Sequence, residues 1–474
     1  NTDVGNLNSL TTGKVTLNSV ADTYDNIQAI KLISDDDVDM GAAAVKVTSV
    51  VDKAKVDDLR TDTTGNITVD SISDNKTNLG LVNAFTDVSL AAANISVTDV
   101  VTLAQANTIH AYNTAAGTTV TLSSVSDAFS NVETLQGTAG VVMTGATITT
   151  TTAEAVTKAN VTDLNNFTTA KVTVTSVQDS RSNVSDIAAI NNAEVDMSAA
   201  AVTITDAVTL AQANTDVGNL NSLTTGKVTL NKVEDGRANV TTLAAIDNDD
   251  VDMSAAAVTI TDAVTLAQAN TDVGNLNSLT TGKVTLNSVA DTYDNIQAIK
   301  LISDDDVDMG AAAVKVTSVV DKAKVDDLRT DTTGNITVDS ISDNKTNLGL
   351  VNAFTDVSLA AANISVTDVV TLAQANTIHA YNTAAGTTVT LSSVSDAFSN
   401  VETLQGTAGV VMTGATITTT TAEAVTKANV TDLNNFTTAK VTVTSVQDSR
   451  SNVSDIAAIN LSLIHISEPT RLTR

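Results

Sequence analysis

The chain repeats itself at three nested lengths, and this restricts its fold more than any other feature. Residues 1–191 recur without a mismatch as 270–460, an offset of 269. Inside that block, 195–231 recurs as 251–287, an offset of 56. Below both lies a unit of 22 to 30 residues that ends in a short β-branched run. Such runs include "VKVT" at 45, "ITVD" at 67, "ISVT" at 95, "VTLS" at 120, "VTVT" at 172 and "VTIT" at 202 and 258. Each alternates apolar with small polar residues, the period of a strand with one buried face. Periods of this length belong to stacked repeat architectures.

After most runs comes the same punctuation. Ser19 to Asp22, Ser49 to Asp52, Ser71 to Asp74, Ser124 to Asp127, Thr151 to Glu154 and Ser176 to Asp179 all fit [ST]-x-x-[DE]. This pattern predicts a capping box, in which the hydroxyl accepts from an early helix N–H and the carboxylate reaches back. Elsewhere Asp99, Asp206 or Asp262 is the expected N-cap. Helical periodicity follows: Val125, Phe129, Val132 and Leu135 fall on one stripe, as do Val20, Tyr24, Ile27 and Ile30.

Each unit therefore reads as a strand, a sharp entry, a short amphipathic helix and a return. The returns alternate between two kinds. One is short, as in "NSLTTGKVTLN" at 221 and "NNFTTAKVTVT" at 165. The other adds a second β-like step, as in "DVDMGAAAVKVT" at 37 and "DVDMSAAAVTIT" at 250. One strand and one helix cannot bury their faces alone, but stacked copies can. The expected fold is an α/β solenoid, a parallel sheet on one side and short helices on the other, running as one continuous repeat over 1–460. Sixteen complete coils and two partial ones can be counted, with crossovers expected to be right-handed. At one strand spacing per coil the array would be on the order of 80 Å long. Ala-Ala-Ala before a strand suits a tight turn against a neighbouring coil, and Thr at alternate strand positions suits an exposed sheet face.

Residues 461–474, "LSLIHISEPTRLTR", depart from all of this. Their back-translation resembles an adapter used in transposon-based DNA library preparation, and they begin where the long identity stops. They are set aside from fold reasoning as an artefactual tail. The chain is expected to be an internal piece of a longer protein from metagenomic DNA.

Charge narrows the function classes. From 25 basic and 54 acidic residues, taking out Glu468, Arg471 and Arg474 of the tail leaves 23 and 53, a net charge of −30. Such a chain repels nucleic-acid phosphates and anionic lipid surfaces. It has no Cys, so disulfides and thiolate metal sites are excluded. No apolar run approaches the length of a membrane helix, so this segment is expected not to insert in a membrane. Hydrophobic residues make up 42%, which is not the composition of disorder.

The motifs "VTITDAVTLAQANT", "ISVTDVVTLAQANTIHAY" and "VTLSSVSDAFSNVETL" resemble tandem repeats of very large bacterial surface and secreted proteins, common in marine and aquatic bacteria. The resemblance covers 1–460 and carries no catalytic residues. It implies an extracellular or cell-surface setting and a spacer or stalk role in an adhesin-like or surface-layer protein. Its implied partners are cell-surface glycans, other surface proteins and adjoining domains of the same longer chain. The glycine-rich calcium nonapeptide of many such proteins is absent here.

The acidic returns are the strongest chemical candidates. Asp35, Asp37 and Asp39, their copies Asp304, Asp306 and Asp308, and the counterparts Asp249, Asp250 and Asp252 could offer hard oxygen ligands to Ca²⁺. The equivalent stretch at 191–197, "NNAEVDM", has fewer acids, and the spacing is not that of an EF-hand. The alternative reading is a solvated helix-to-strand return. His110 and its copy His379 have no readable carboxylate or nucleophile nearby, so an exposed or capping role is expected. Tyr24 and Phe129 are expected in the core. No nucleophile elbow, phosphate loop or dinucleotide fingerprint is present, and no enzymatic activity is expected.

Overall fold

A computed structural model describes residues 2–32, 38–190, 194–212, 224–244, 251–269, 280–302, 307–458 and 464–466. They divide into two compact units, one of 1–231 with 247–252 and the other of 232–246 with 253–474. In the first unit a parallel sheet runs Ser19–Asp22, Ala44–Val51, Ile67–Asp74, Asn94–Val101, Val120–Asp127, Thr147–Thr150, Val172–Thr173 and Val195–Asp196, each strand paired with the next. In the second unit the sheet runs from Ala257–Val264 through Val284–Asp291, Ala313–Val320, Ile336–Asp343, Asn363–Val370, Val389–Asp396 and Thr416–Thr419 to Val441–Val443. Val441–Val443 also pairs with Ile464–Ile466, inside the segment set aside above. Consecutive strands are joined through short helices, such as Lys53–Asp62, Lys76–Asn83 and Leu103–His110. This is the expected α/β repeat fold, with each coil adding one strand to a growing parallel sheet. The second β-like step of the longer returns is also present, as Val38–Asp39, Val88–Ser89, Val141–Val142 and Val195–Asp196.

The core is aliphatic. In Ala44–Val51, Val45, Val47 and Val51 are buried while Ala44, Lys46 and Thr48 are exposed, so alternation sets the face. The register shifts between Val47 and Val50, and the same shift recurs between Val97 and Val100 and between Val316 and Val319. Val50, at this bulge, is exposed. From the helices, Ile27 and Ile30, Val56 and Leu59, and Phe129, Val132 and Leu135 close the core. Burying each such side chain contributes about 1.5–3 kcal/mol. Tyr24 is only half-buried, and its hydroxyl donates to Asp58 Oδ2 on the next helix at 2.7 Å.

The helix entries differ from the capping-box reading. Ser124 to Asp127 is the end of a strand, and the helix begins at Phe129. Val125 and Val20 are accordingly strand residues, not part of the helical stripe. The carboxylate of Asp127 accepts from Ala128 N–H and from the Asn131 amide with one oxygen, both at 2.8 Å. Its other oxygen accepts from Leu103 N–H, the first residue of the helix one coil earlier, at 2.8 Å. The same two-sided arrangement holds at Asp74, which accepts from Asn75, Asn78 and Lys53 N–H, and at Asp179, which accepts from Ser180, Asn183 and Lys158 N–H. Asp99, Asp206 and Asp262 are likewise not N-caps of their own helices. They accept from Lys76, Arg181 and Arg237 N–H of the preceding coil. In Ser49 to Asp52 it is the acid, Asp52, and not the hydroxyl of Ser49, that is the N-cap. Reciprocal capping boxes do form, but further along the chain, at Thr102 with Gln105 and at Thr157 with Asn160. The strand end supplies the acid before the chain turns into its helix. A carboxylate there lies against the positive end of the neighbouring helix, which stabilises its charge.

The opposite edge is closed by a second repeated joint. Thr63 is 3% exposed, and its hydroxyl donates to the Ala43 carbonyl at 2.7 Å while accepting from Gly65 N–H at 2.9 Å. Thr224, Thr280 and Thr332 make the same bond to Ala200, Ala256 and Ala312. Gly65 follows because the chains touch: a Cβ there would lie 2.2 Å from the Ala43 carbonyl oxygen. The Ala-rich turn is thus packed against its neighbour, as its composition implied. Gly65→Ala is expected to lower stability by about 1–3 kcal/mol. Gly145→Ala, with nothing within 4 Å of the added methyl, is expected to stay within about 0.5 kcal/mol. Denaturant unfolding of the two variants checks both figures.

Candidate functional site

The acidic returns are built from two coils at once. Val38 and Asp39 form a two-residue strand in register with Val15 and Thr16. That pairing brings Lys14, just before the partner strand, to Asp39, with Nζ 2.8 Å from Oδ2. The other Asp39 oxygen accepts from Gly41 N–H at 2.7 Å. Lys14 and the Gly41 amide together hold the Asp39 carboxyl below its ordinary range. The same geometry recurs at Asp196, where Lys171 Nζ lies 2.7 Å away and Ser198 N–H donates at 2.9 Å. Lys171, followed by the Ser198 amide, depresses the Asp196 pKa strongly. Asp252 is 2.8 Å from Lys227.

The sequence candidates therefore fall into two groups. Asp39 and Asp252 are each ion-paired to a lysine of the neighbouring strand. Asp35, Asp37, Asp249, Asp250, Asp304 and Asp306 lie outside the described residues, and of Asp308 only the backbone, paired with Thr285, is described. Among the described residues no group of three or more acids or histidines is placed to hold a metal ion.

The lysines were missed in the sequence, although a signal was there. Lys precedes the Val-Thr pair wherever the strand faces a Val-Asp step: Lys14 over Asp39, Lys171 over Asp196, Lys227 over Asp252. Where the facing step is Val88–Ser89 or Val141–Val142, the same position holds Asn66 or Thr119. Lys440 holds the same position where its strand faces Ile464–Ile466.

His110 is the last residue of the helix Leu103–His110, in the turn where a cation would suit the helix dipole. Its ring is not simply exposed. It packs on Gly140, whose φ of 85° keeps that position open, and its Nδ1 is buried without a hydrogen-bond partner. Phe129 is buried, as expected of a core residue. No described helix is long and apolar enough to cross a membrane.

Compared with known proteins, the chain matches no family model, no curated protein and no solved structure.

The Lys171–Asp196 pair is half-exposed, with 50% and 26% of the two side chains accessible. A double-mutant cycle of Lys171→Met and Asp196→Asn is expected to return a coupling of about 0.5–1 kcal/mol that shrinks with added salt.

Proposed function

We propose that residues 1–460 form a structural spacer or stalk in a very large bacterial cell-surface or secreted protein. One observation carries this reading: charged and polar groups at the coil edges are engaged with the next coil. Lysines pair with the aspartates of the facing return, and strand-end aspartates accept from the helix one coil back. Polar residues used this way extend an array by one more identical joint. The exact duplication of 1–191 as 270–460 fits the same purpose, since repetition adds length without adding chemistry. The high negative charge would keep such an array soluble and apart from its neighbours. The resemblance of its motifs to repeats of bacterial surface proteins gives the setting.

A calcium-binding or glycan-binding module is the competing reading, motivated by the acidic returns and the Thr-bearing sheet face. Thermal unfolding with and without calcium separates the two. The spacer reading predicts midpoints that agree within about 1–2 °C, because a ligand that binds only the folded state must raise the midpoint. A large calcium-dependent rise, or retention on a polysaccharide, would replace the spacer with the binding module.

A further inference from the structure

We propose that the carboxylates reaching from each coil to the helix before it act as an acid-sensitive clasp. Ionised, they dock the helical layer coil upon coil; protonated, they release it. Asp127 and Asp396 bridge two helix entries each. One oxygen serves the Ala128 or Ala397 amide and the Asn131 or Asn400 side chain. The other takes the first N–H of the helix Leu103–His110 or Leu372–His379. Every one of these partners is a donor. A neutral carboxylic acid must place its own proton on one oxygen, so it cannot accept at all of these positions. It also loses the attraction of an anion for the helix N-terminus.

The neighbours of the clasp decide the pH range. Asp127 and Asp396 have no charged group among the causes of their shift. Asp179 and Asp448 face Lys158 and Lys427, whose ammonium groups pair with Asp186 and Asp455. Asp99 faces Lys76, and Asp291 faces only the Leu266 and Thr292 amides and Asn295. Burial alone raises most of these carboxyls, yet the hydrogen bonds outweigh it and hold them below the usual range. At Asp448 the leading cause is the Lys427 amide, which lowers it directly. A group depressed on folding contributes stability that is complete above its unfolded pKa, about 3.9 for Asp, and is lost as pH falls through the folded value. The window is therefore at and below pH ~4. One effect opposes it: protonation also relieves the self-repulsion of a chain with net charge −29. The clasp recurs along each unit, and in a stacked array joint energies add.

The test compares thermal midpoints at pH 6 and pH 3 for the full chain and two variants. The clasp variant carries Asp127→Asn, Asp179→Asn, Asp396→Asn and Asp448→Asn. The control carries Asp163→Asn and Asp432→Asn, both exposed on helix surfaces. The unaltered chain should lose on the order of 10 °C between the two pH values. The clasp variant should start lower at pH 6 and lose distinctly less on acidification, while the control keeps the full loss. If the fourfold variant does not fold, Asp127→Asn with Asp396→Asn should show a smaller reduction of the same sign. An unaltered midpoint that does not fall, a clasp variant that keeps the full acid loss, or a control that loses it equally would each overturn the proposal. Calcium plays no part in this readout, so it succeeds or fails independently of the spacer reading.

Discussion

The first amides of an α-helix have no acceptor inside the helix, and in this chain the acceptor for the very first of them comes from the next coil. Short helices of eight to ten residues are marginal on their own. Several carry a cap from their own coil for a later amide, as at Asp52 and Thr102, but the first N–H gains a carboxylate or hydroxyl when another coil stacks on it, as Tyr24 N–H donates to Ser49 and Leu103 N–H to Asp127. The strands obey the same logic, because a parallel strand has unpaired N–H and C=O groups until a neighbour lies beside it. The buried Thr63 hydroxyl on the Ala43 carbonyl ties the opposite edge. Three kinds of joint thus run coil to coil among the described residues.

The duplicated sequence shows how strongly the neighbour decides. Residues 284–291 form one continuous strand between Ala257–Val264 and Ala313–Val320. The identical residues 15–22 form two pieces, Val15–Thr16 and Ser19–Asp22, and among the described residues no strand lies on the far side of Ser19–Asp22. Val284 is fully buried whereas Val15 is not. The difference is one of context alone: a strand propensity is realised when a partner pairs with it.

Much of this is legible in the sequence. The β-branched alternation located the strands, the 3.6-residue stripe located Ile27, Ile30, Val132 and Leu135, and the Val-Asp step marked the second short strand. What the pattern could not tell was the direction of the acids. The spacing from Ser124 to Asp127 matches a capping box within one helix, yet Asp127 ends a strand and serves two helices. A local motif carries no information about which coil lies alongside. The Asp-to-Asn spacing of Asp74 with Asn78, Asp127 with Asn131 and Asp179 with Asn183 was the better signal, since an acid bonded four residues onward must sit just before its helix. Likewise Lys171 gained meaning only once the parallel register placed it over Asp196.

If coupling between coils is the basis of the structure, removing one carboxylate should loosen the helix of a different coil. Hydrogen exchange on the Asp127→Ala/Asp396→Ala chain tests this directly. The change is made in both copies because the peptides Leu103–His110 and Leu372–His379 are identical. The account predicts faster exchange at the start of these helices, in addition to any change in Phe129–Gln136 and Phe398–Gln405. Unchanged protection at Leu103 and Leu372, with only the later helices affected, would show that each acid serves its own coil and would contradict the account.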